Sequence, residues 1–272
     1  MKIWPISDLH LRQTDAMHLW MPFQIPEADV CLLGGDVTEG FANAMHWAGN
    51  LIAQKMPVVM VHGNHDVYRS SIDRANSESK LLARAFKIHF LENDEIVIDG
   101  VRFVGATLWT DYRLPVGGMY AKKSVEERMK DLFHIVPREL ADFGEIYRSD
   151  ERQEGETGFI TIQELIRRHE ESRAYIDEVL STPFDGKTVV LTHHAPLGRS
   201  IHPSFEGEIT NAAFASDLSD LIARRKPAAW VHGHVHHFLD YMEDDTRVIC
   251  NAKGHSGQRN PSNFRWDFTF EV

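Results

Sequence analysis

Apolar residues along this chain come in short unbroken runs that end on glycine or polar turns. Ile3 to Ile6, Val30 to Leu33 and Val58 to Val61 follow one another at near-regular spacing, as buried strands covered on both faces do. Between the second and third, Phe41, Ala44, Met45, Ala48, Leu51 and Ile52 recur at helical spacing over Glu39 to Met56, with Thr38 placed to cap and Pro57 to stop. Strand, helix and strand of this length make a βαβ unit, whose parallel strands send their following turns to one edge of the sheet. In open α/β sheets that edge is where ligands bind. Pro5 lies inside the first strand, and because it has no N–H for a ladder it is expected on an edge or at a bulge.

The same reading carries on to the end of the chain. Ser71 to Phe86 reads as a helix, and Ile88 to Leu91, Glu95 to Ile98 and Val101 to Leu108 as strands, the last two joined by the Asp99-Gly100 turn. From about 110 to 160 the regularity gives way to charge-rich helical segments such as Ser124 to Phe133, with glycines at 117, 118, 144, 155 and 158. This stretch is read as a cap-like insertion able to lie over a site, within one domain spanning 1–272. Thr161 and Glu164 form a capping box for a helix whose apolar face is Ile162, Leu165, Ile166, Ile176, Val179 and Leu180, ending before Pro183. Strands return at Thr188 to Leu191, Ala228 to Val231, Leu239 to Met242 and Arg247 to Cys250, the last two forming a hairpin through Asp244-Asp245.

Composition narrows the class without naming a function. A 43% hydrophobic and 25% charged chain of 272 residues has ordinary globular usage and enough length for a sizeable core. Its formal charge of -11 repels a nucleic-acid backbone, so nucleic acid is an unlikely partner. The two cysteines, Cys31 and Cys250, fall in apolar runs and read as buried thiols, which require no oxidising compartment. No run approaches the length of a membrane span, and the start lacks the pattern of a signal peptide, so the expectation is a cytoplasmic protein.

What changes the picture is the set of residues that follow the strands. Ser7-Asp8-Leu9-His10, Gly34-Gly35-Asp36 and Gly63-Asn64-His65-Asp66 come after the first three, and Thr192-His193-His194 and Gly233-His234-Val235-His236 after two of the later ones. Each turn offers a metal ligand. In extended chain the two-residue spacing of Asp8 with His10, and of His234 with His236, points both side chains to one face. The neighbouring glycines admit close backbone approach. Carboxylate, imidazole and amide oxygen without thiolate suit Mn, Fe or Zn in open coordination rather than a closed structural zinc. Any one motif is weak, and a lone histidine at a strand end is more often a hydrogen-bonded imidazole than a ligand. Five in order, each after a strand, have no structural reason to coincide.

This ordered set, running from Asp8 to His236, resembles the calcineurin-like metallophosphoesterases. The resemblance implies a four-layer αββα sandwich of two mixed β-sheets flanked by helices, with a dinuclear centre where strand ends converge. It implies that Asp8, His10, Asp36 and His236 hold one divalent ion and Asp36, Asn64, His193 and His234 the other, Asp36 bridging. His193 and His194 both stand where one ligand is needed. His193, directly after the strand, is preferred, and His194 is left to a supporting or substrate-binding place. A water shared by the ions would be the nucleophile, His65 the general acid and Asp66 its orienting partner. Arg69 and Arg199 follow ligand loops and are candidate phosphate contacts, with Arg12 a weaker one. His62 and His232 are read as supports for their motifs and Asn211 and His255 as rim residues. Trp109, Tyr112 and Tyr120 are possible stacking groups, although core packing is the commoner fate of aromatics.

The expected function is therefore metal-dependent hydrolysis of a small phosphate ester, with phosphodiesters favoured because a histidine beside the Asn ligand suits poor alkoxide leaving groups. A phosphomonoesterase or protein phosphatase of the same fold, or a scaffold that binds metal without catalysis, are the alternatives. No Walker-type phosphate loop and no Gly-x-Ser-x-Gly elbow occurs.

Overall fold

A computed structural model describes residues 1–149 and 158–272; Gly155, one of the glycines of the presumed insertion, lies outside the described residues. The strands are β1 (Lys2–Ile6), β2 (Val30–Leu33), β3 (Val58–Met60), β4 (Ile88–Phe90), β5 (Asp94–Ile98), β6 (Val101–Ala106), β7 (Lys187–Thr192), β8 (Ala229–His232), β9 (Phe238–Glu243), β10 (Thr246–Asn251) and β11 (Phe270–Glu271). The α-helices are α1 (Gln13–Met17), α2 (Phe41–Leu51), α3 (Ile72–Phe86), α4 (Val125–Glu139), α5 (Asp142–Glu145), α6 (Ile162–Ser181) and α7 (Ser219–Arg225).

The strands form two mixed sheets, in the orders β11-β1-β2-β3-β4 and β5-β6-β7-β8-β10-β9. β1 to β4 run parallel, with β11 antiparallel beside β1. β6, β7, β8 and β10 are also parallel, flanked by antiparallel β5 and β9. Alternation within single strands shows why the sheets must stack. Val30 and Leu32 of β2 meet Val189 and Leu191 of β7 and Ala229 and Val231 of β8 in one buried cluster between the sheets. The other face of β2, Cys31 and Leu33, packs with Ala44, Met45, Trp47 and Ala48 of α2. On the far side Val190 and Trp230 pack with Ile176 of α6 and Leu221 and Ile222 of α7. Successive residues of a strand point to opposite faces, so strands apolar at every position are covered twice. The result is a four-layer αββα sandwich.

Pro5 occupies an interior strand without cost to the ladder. The carbonyls of Lys2 and Ile6 accept from Asp29 and Gly34 on the β2 side, so Pro5 faces the other edge, where β11 pairs only with Lys2 and Ile3. The Pro5 carbonyl is satisfied there by Asn251 Nδ2 at 2.9 Å. Thr38 is not the cap of α2: Gly40 stands at that position, and the Thr38 hydroxyl donates instead to the Leu11 carbonyl at 2.8 Å, fastening the first two ligand loops together. Thr161 does cap α6, accepting from the Glu164 N–H at 3.2 Å, and Ser124 with Glu127 closes a complete capping box on α4.

The segment after β6 packs beside the site edge rather than standing apart. Leu132 and Val136 of α4, with Ile146 and Ile160, join Trp109, Tyr112 and Leu114 in one buried cluster that also takes in Ile209, Ala212, Val235 and Ala252. Trp109 and Tyr112 are thus core residues, 2% and 3% exposed, and not stacking platforms. Tyr120 is half-buried, with the Lys123 ammonium 5.2 Å over its ring.

Candidate metal centre

The carboxyl ends of β1, β2, β3, β7 and β8 open on one edge, and their loops are laced together by backbone hydrogen bonds. The N–H groups of Asp8 and His10 donate to the Gly35 and Asp36 carbonyls, Gly233 donates to His193, and Gly254 donates to Asp8. Gly63 makes this closeness possible, since a Cβ there would lie 2.1 Å from Asp36 Oδ1 and 2.6 Å from His193 Cε1. The paired ligands do not converge through extended chain, as the two-residue spacing suggested. Asp8, His10, Asp36, His234 and His236 have φ of 52°, 44°, 55°, 67° and 52°, a left-handed conformation costly for residues with a Cβ.

All seven anticipated ligands come together, in two groups. In the first, His236 Nε2 lies 3.1 Å from His10 Nε2 and 3.2 Å from Asp8 Oδ1. In the second, His193 Nε2 lies 3.4 Å from Asp36 Oδ2 and 3.1 Å from Asn64 Oδ1, with His234 completing the set. Asp36 Oδ1 accepts the His65 N–H at 2.9 Å, while Asp36 Oδ2 is buried without a hydrogen-bond partner. A buried carboxylate oxygen that makes no hydrogen bond, with the His193 imidazole 3.4 Å away, has a deficit that a cation would meet. The donor set of each group therefore fits a divalent ion.

Electrostatics reinforce this. Burial pushes Asp8 upward, but the hydrogen bond with His236 and the charge of His193 hold it down at about 2. Asp36 is likewise held well below the usual carboxylate range, burial being outweighed chiefly by the charge of His193. Burial pulls His193 down, yet the charge of Asp36 close by raises it to about 9. His193 Nδ1 donates to the Gly34 carbonyl at 2.7 Å, which leaves Nε2 as the ligand atom. Burial keeps the His10 imidazole low, at about 3, and His234 well below its ordinary value.

The remaining anticipated residues fall in different places. His65 stands half-buried at the mouth, its ring edge-on to His10 with centroids 4.8 Å apart and tilted against Tyr68 at 4.4 Å. Asp66 does not orient it. Asp66 is fully buried, and its Oδ2 accepts the N–H groups of Asp36 and Gly63, both at 2.8 Å, so it braces two ligand loops; burial and the Asp36 charge raise it to about 8. His194 is 2% exposed, Nδ1 against the Thr107 carbonyl and ring 4.3 Å from that of His234, behind the site and out of a substrate's reach. Arg199 is directed to β9, where it bonds the Met242 carbonyl, pairs with Glu243 and lies over the Tyr241 ring. Arg69 is engaged with Glu39 and Glu145, and Arg12 with Asp15. None of these arginines lines the cleft. His62 is a buried support held by Asn76 and Ser79, and His232 one held by Ser200. His255 stacks on His10 at 3.8 Å.

A model of the calcineurin-like phosphoesterase family matches residues 1–238. The chain belongs to the calcineurin-like phosphoesterases. Members of this family are metal-dependent phosphoester hydrolases. Among curated relatives, the uncharacterized protein L509 of Acanthamoeba polyphaga mimivirus is 27% identical over 281 aligned positions, covering 95% of this chain and 92% of its own. Among solved structures, the phosphopantetheinyl hydrolase PptH of Mycobacterium tuberculosis superposes with a TM-score of 0.70 at 19% identity, covering 93% of this chain and 89% of that one.

Two residues of this phosphoesterase's site were not anticipated from the sequence. Asp142, on α5 of the segment after β6, accepts at Oδ1 from Asn64 Nδ2 and from the Tyr68 hydroxyl, both at 2.8 Å. An amide whose nitrogen is so held turns its oxygen toward His193. Tyr68 follows Asn64 by four residues across the 3₁₀ turn His65–Val67, a local spacing that could have pointed to it. Asp142 lies 78 positions from Asn64, and no pattern in its own segment marks it.

Proposed function

We propose that this chain hydrolyses phosphodiesters at a centre of two divalent ions held by Asp8, His10, Asp36 and His236 on one side and Asp36, Asn64, His193 and His234 on the other. The observation that carries the reading is the buried Asp36 Oδ2, without a hydrogen bond, in one of two neighbouring clusters of carboxylate and imidazole donors. When bound, the pair of cations would supply Lewis acidity and a water made acidic enough to attack at neutral pH. The chain's own residues do the rest. Gly34 fixes the tautomer of His193, and Asp142 and Tyr68 turn the Asn64 oxygen inward. Asp66 holds the Asp36 and Gly63 loops at their spacing. His65, at the mouth and unburdened by any side-chain hydrogen bond among the described residues, is placed to give a proton to the departing ester oxygen.

A preference for diesters is supported by charge. The cleft beside the donors is lined by Tyr68, Glu139, Leu140, Asp142 and Phe214 as well as ligands, without a lysine or arginine among the described residues. A diester brings one negative charge to the ions, whereas a monoester dianion brings a second that nothing here would meet. The test is hydrolysis of bis-p-nitrophenyl phosphate beside p-nitrophenyl phosphate by chelator-stripped protein given Mn, Fe or Zn. Metal-dependent turnover favouring the diester, abolished in Asp36→Ala and lowered about 10²–10⁴-fold in His65→Ala, is expected. Turnover that survives Asp36→Ala, or a preference for the monoester, would refute it.

A further inference from the structure

The cleft at the metal ligands continues into a cavity of ≈ 180 Å³ that opens between α4 and the loops after β7 and β8. The two share Glu139, Leu140, Phe214, His234 and His236, so a molecule whose phosphate reached the donor groups would have its organic part at the cavity's entrance. Phe214 makes the join: its ring stacks on the His234 imidazole with centroids 4.6 Å apart and planes at 27°. Leu140, Ile201 and Phe205 extend that apolar wall.

Among the described residues no lysine or arginine lines the cavity. The Arg259 guanidinium, behind its wall, is committed to the lining residues themselves, paired with Glu208 and lying 5.0 Å over the Phe205 ring. The polar groups present are largely satisfied within the fold. Asn211 Nδ2 donates to the Phe205 carbonyl at 2.7 Å, and Asn260 Nδ2 donates to the His236 carbonyl at 3.1 Å. Such a wall gains from covering an aromatic or aliphatic group and offers nothing to a second anion, which would meet Glu139 at the rim.

We propose that this cavity is the subsite for one organic substituent of the diester, and that the substituent is uncharged and ring-sized or aliphatic. The inference rests on the diester reading above, but its test is binding and not turnover. Metal-loaded protein is titrated with diphenyl phosphate, dimethyl phosphate and bis(4-carboxyphenyl) phosphate by calorimetry. Diphenyl phosphate is expected to bind about 30-fold more tightly than dimethyl phosphate, the gain of burying one ring. Phe205→Ala and Ile201→Ala, which line the cavity and not the cleft at the donors, should cut that ratio to within about threefold of unity while leaving dimethyl phosphate affinity and two-ion binding unchanged. The carboxylated ester should bind more weakly than diphenyl phosphate.

Equal binding of the two diesters, a ratio that survives both substitutions, tight binding of the carboxylated ester, or no diester binding at all would each overturn the subsite. The ratio holding while bis-p-nitrophenyl phosphate is not hydrolysed would sustain the subsite and sink the hydrolase reading instead.

Discussion

Asp142 offers the sharpest way to ask whether the segment after β6 takes part in the metal centre. Its carboxylate, 7% exposed, is the shared acceptor of two donors at 2.8 Å, Asn64 Nδ2 and the Tyr68 hydroxyl. Removing it in Asp142→Ala takes the acceptor from both donors and leaves Asn64 Nδ2 only its 3.4 Å contact with the Tyr68 hydroxyl, at about 1–3 kcal/mol. The part of that cost relevant to the ions is the freedom given to the Asn64 amide, which can then turn its oxygen away from His193. Loss of such a supporting contact weakens metal affinity about 10–100-fold, or about 1.4–2.8 kcal/mol. Because both bonds end on Oδ1, Asp142→Asn keeps an acceptor in that place and should stay within about threefold of the parent. The assay is calorimetric titration of Mn into chelator-stripped protein, resolving two sites. One ion should weaken in Asp142→Ala while the ion beside Asp8, His10 and His236 does not. If both weaken equally, or if the Asn and Ala variants behave alike, the orienting argument is wrong and the charge of Asp142 is what matters.

Three further outcomes follow from the geometry. Gly63→Ala places a Cβ 2.1 Å from Asp36 Oδ1, so it should reduce bound metal below two ions per chain and cost about 1–3 kcal/mol in urea unfolding; full metal content would show that the loops can give way. His193 is raised to about 9 without metal, so below that pH a cation must displace a proton from Nε2. Affinity of the second ion should then climb about tenfold per pH unit between pH 7 and 9, with proton release seen as a buffer-dependent binding enthalpy; a flat profile would contradict it. Trp230 is fully buried, and its Nε1–H donates to the Thr192 hydroxyl at 2.9 Å, which in turn donates to the His194 carbonyl. Trp230→Ala should lower unfolding free energy by about 3–5 kcal/mol with an unchanged denaturant slope, and a loss under about 1 kcal/mol would mean that the outer layer repacks.

The sheets were legible because β2 and β3 are apolar at every position, as are Val189 to Leu191 of β7 and Ala229 to Val231 of β8, a pattern that double coverage explains. Their ends were legible because carboxylates and imidazoles do nothing for a core. β11 was not, since two residues carry no period, and α5 was hidden in a segment whose local sequence lacks any chemical marker. The places of Asp66, His194 and Arg199 could not be read for a physical reason. Sequence shows that a polar residue follows a strand, but whether it faces the cleft or the backbone of the next loop depends on φ at its neighbours. The left-handed backbone at Asp8, His10, Asp36, His234 and His236 reversed the simplest expectation for the paired ligands in that way.

That same backbone sets the chain's function against its own stability. Left-handed φ costs a residue with a side chain of order 1–2 kcal/mol, and glycine almost nothing. Without metal, five residues at this edge bear such a cost, which the hydrogen bonds lacing their loops offset in part and bound cations would offset further. Replacing His10 or His236 by glycine would then relax the folded chain while emptying a ligand position. A selection for thermal endurance alone, run in the absence of divalent ions, would be drawn to these very positions and would dismantle the site first.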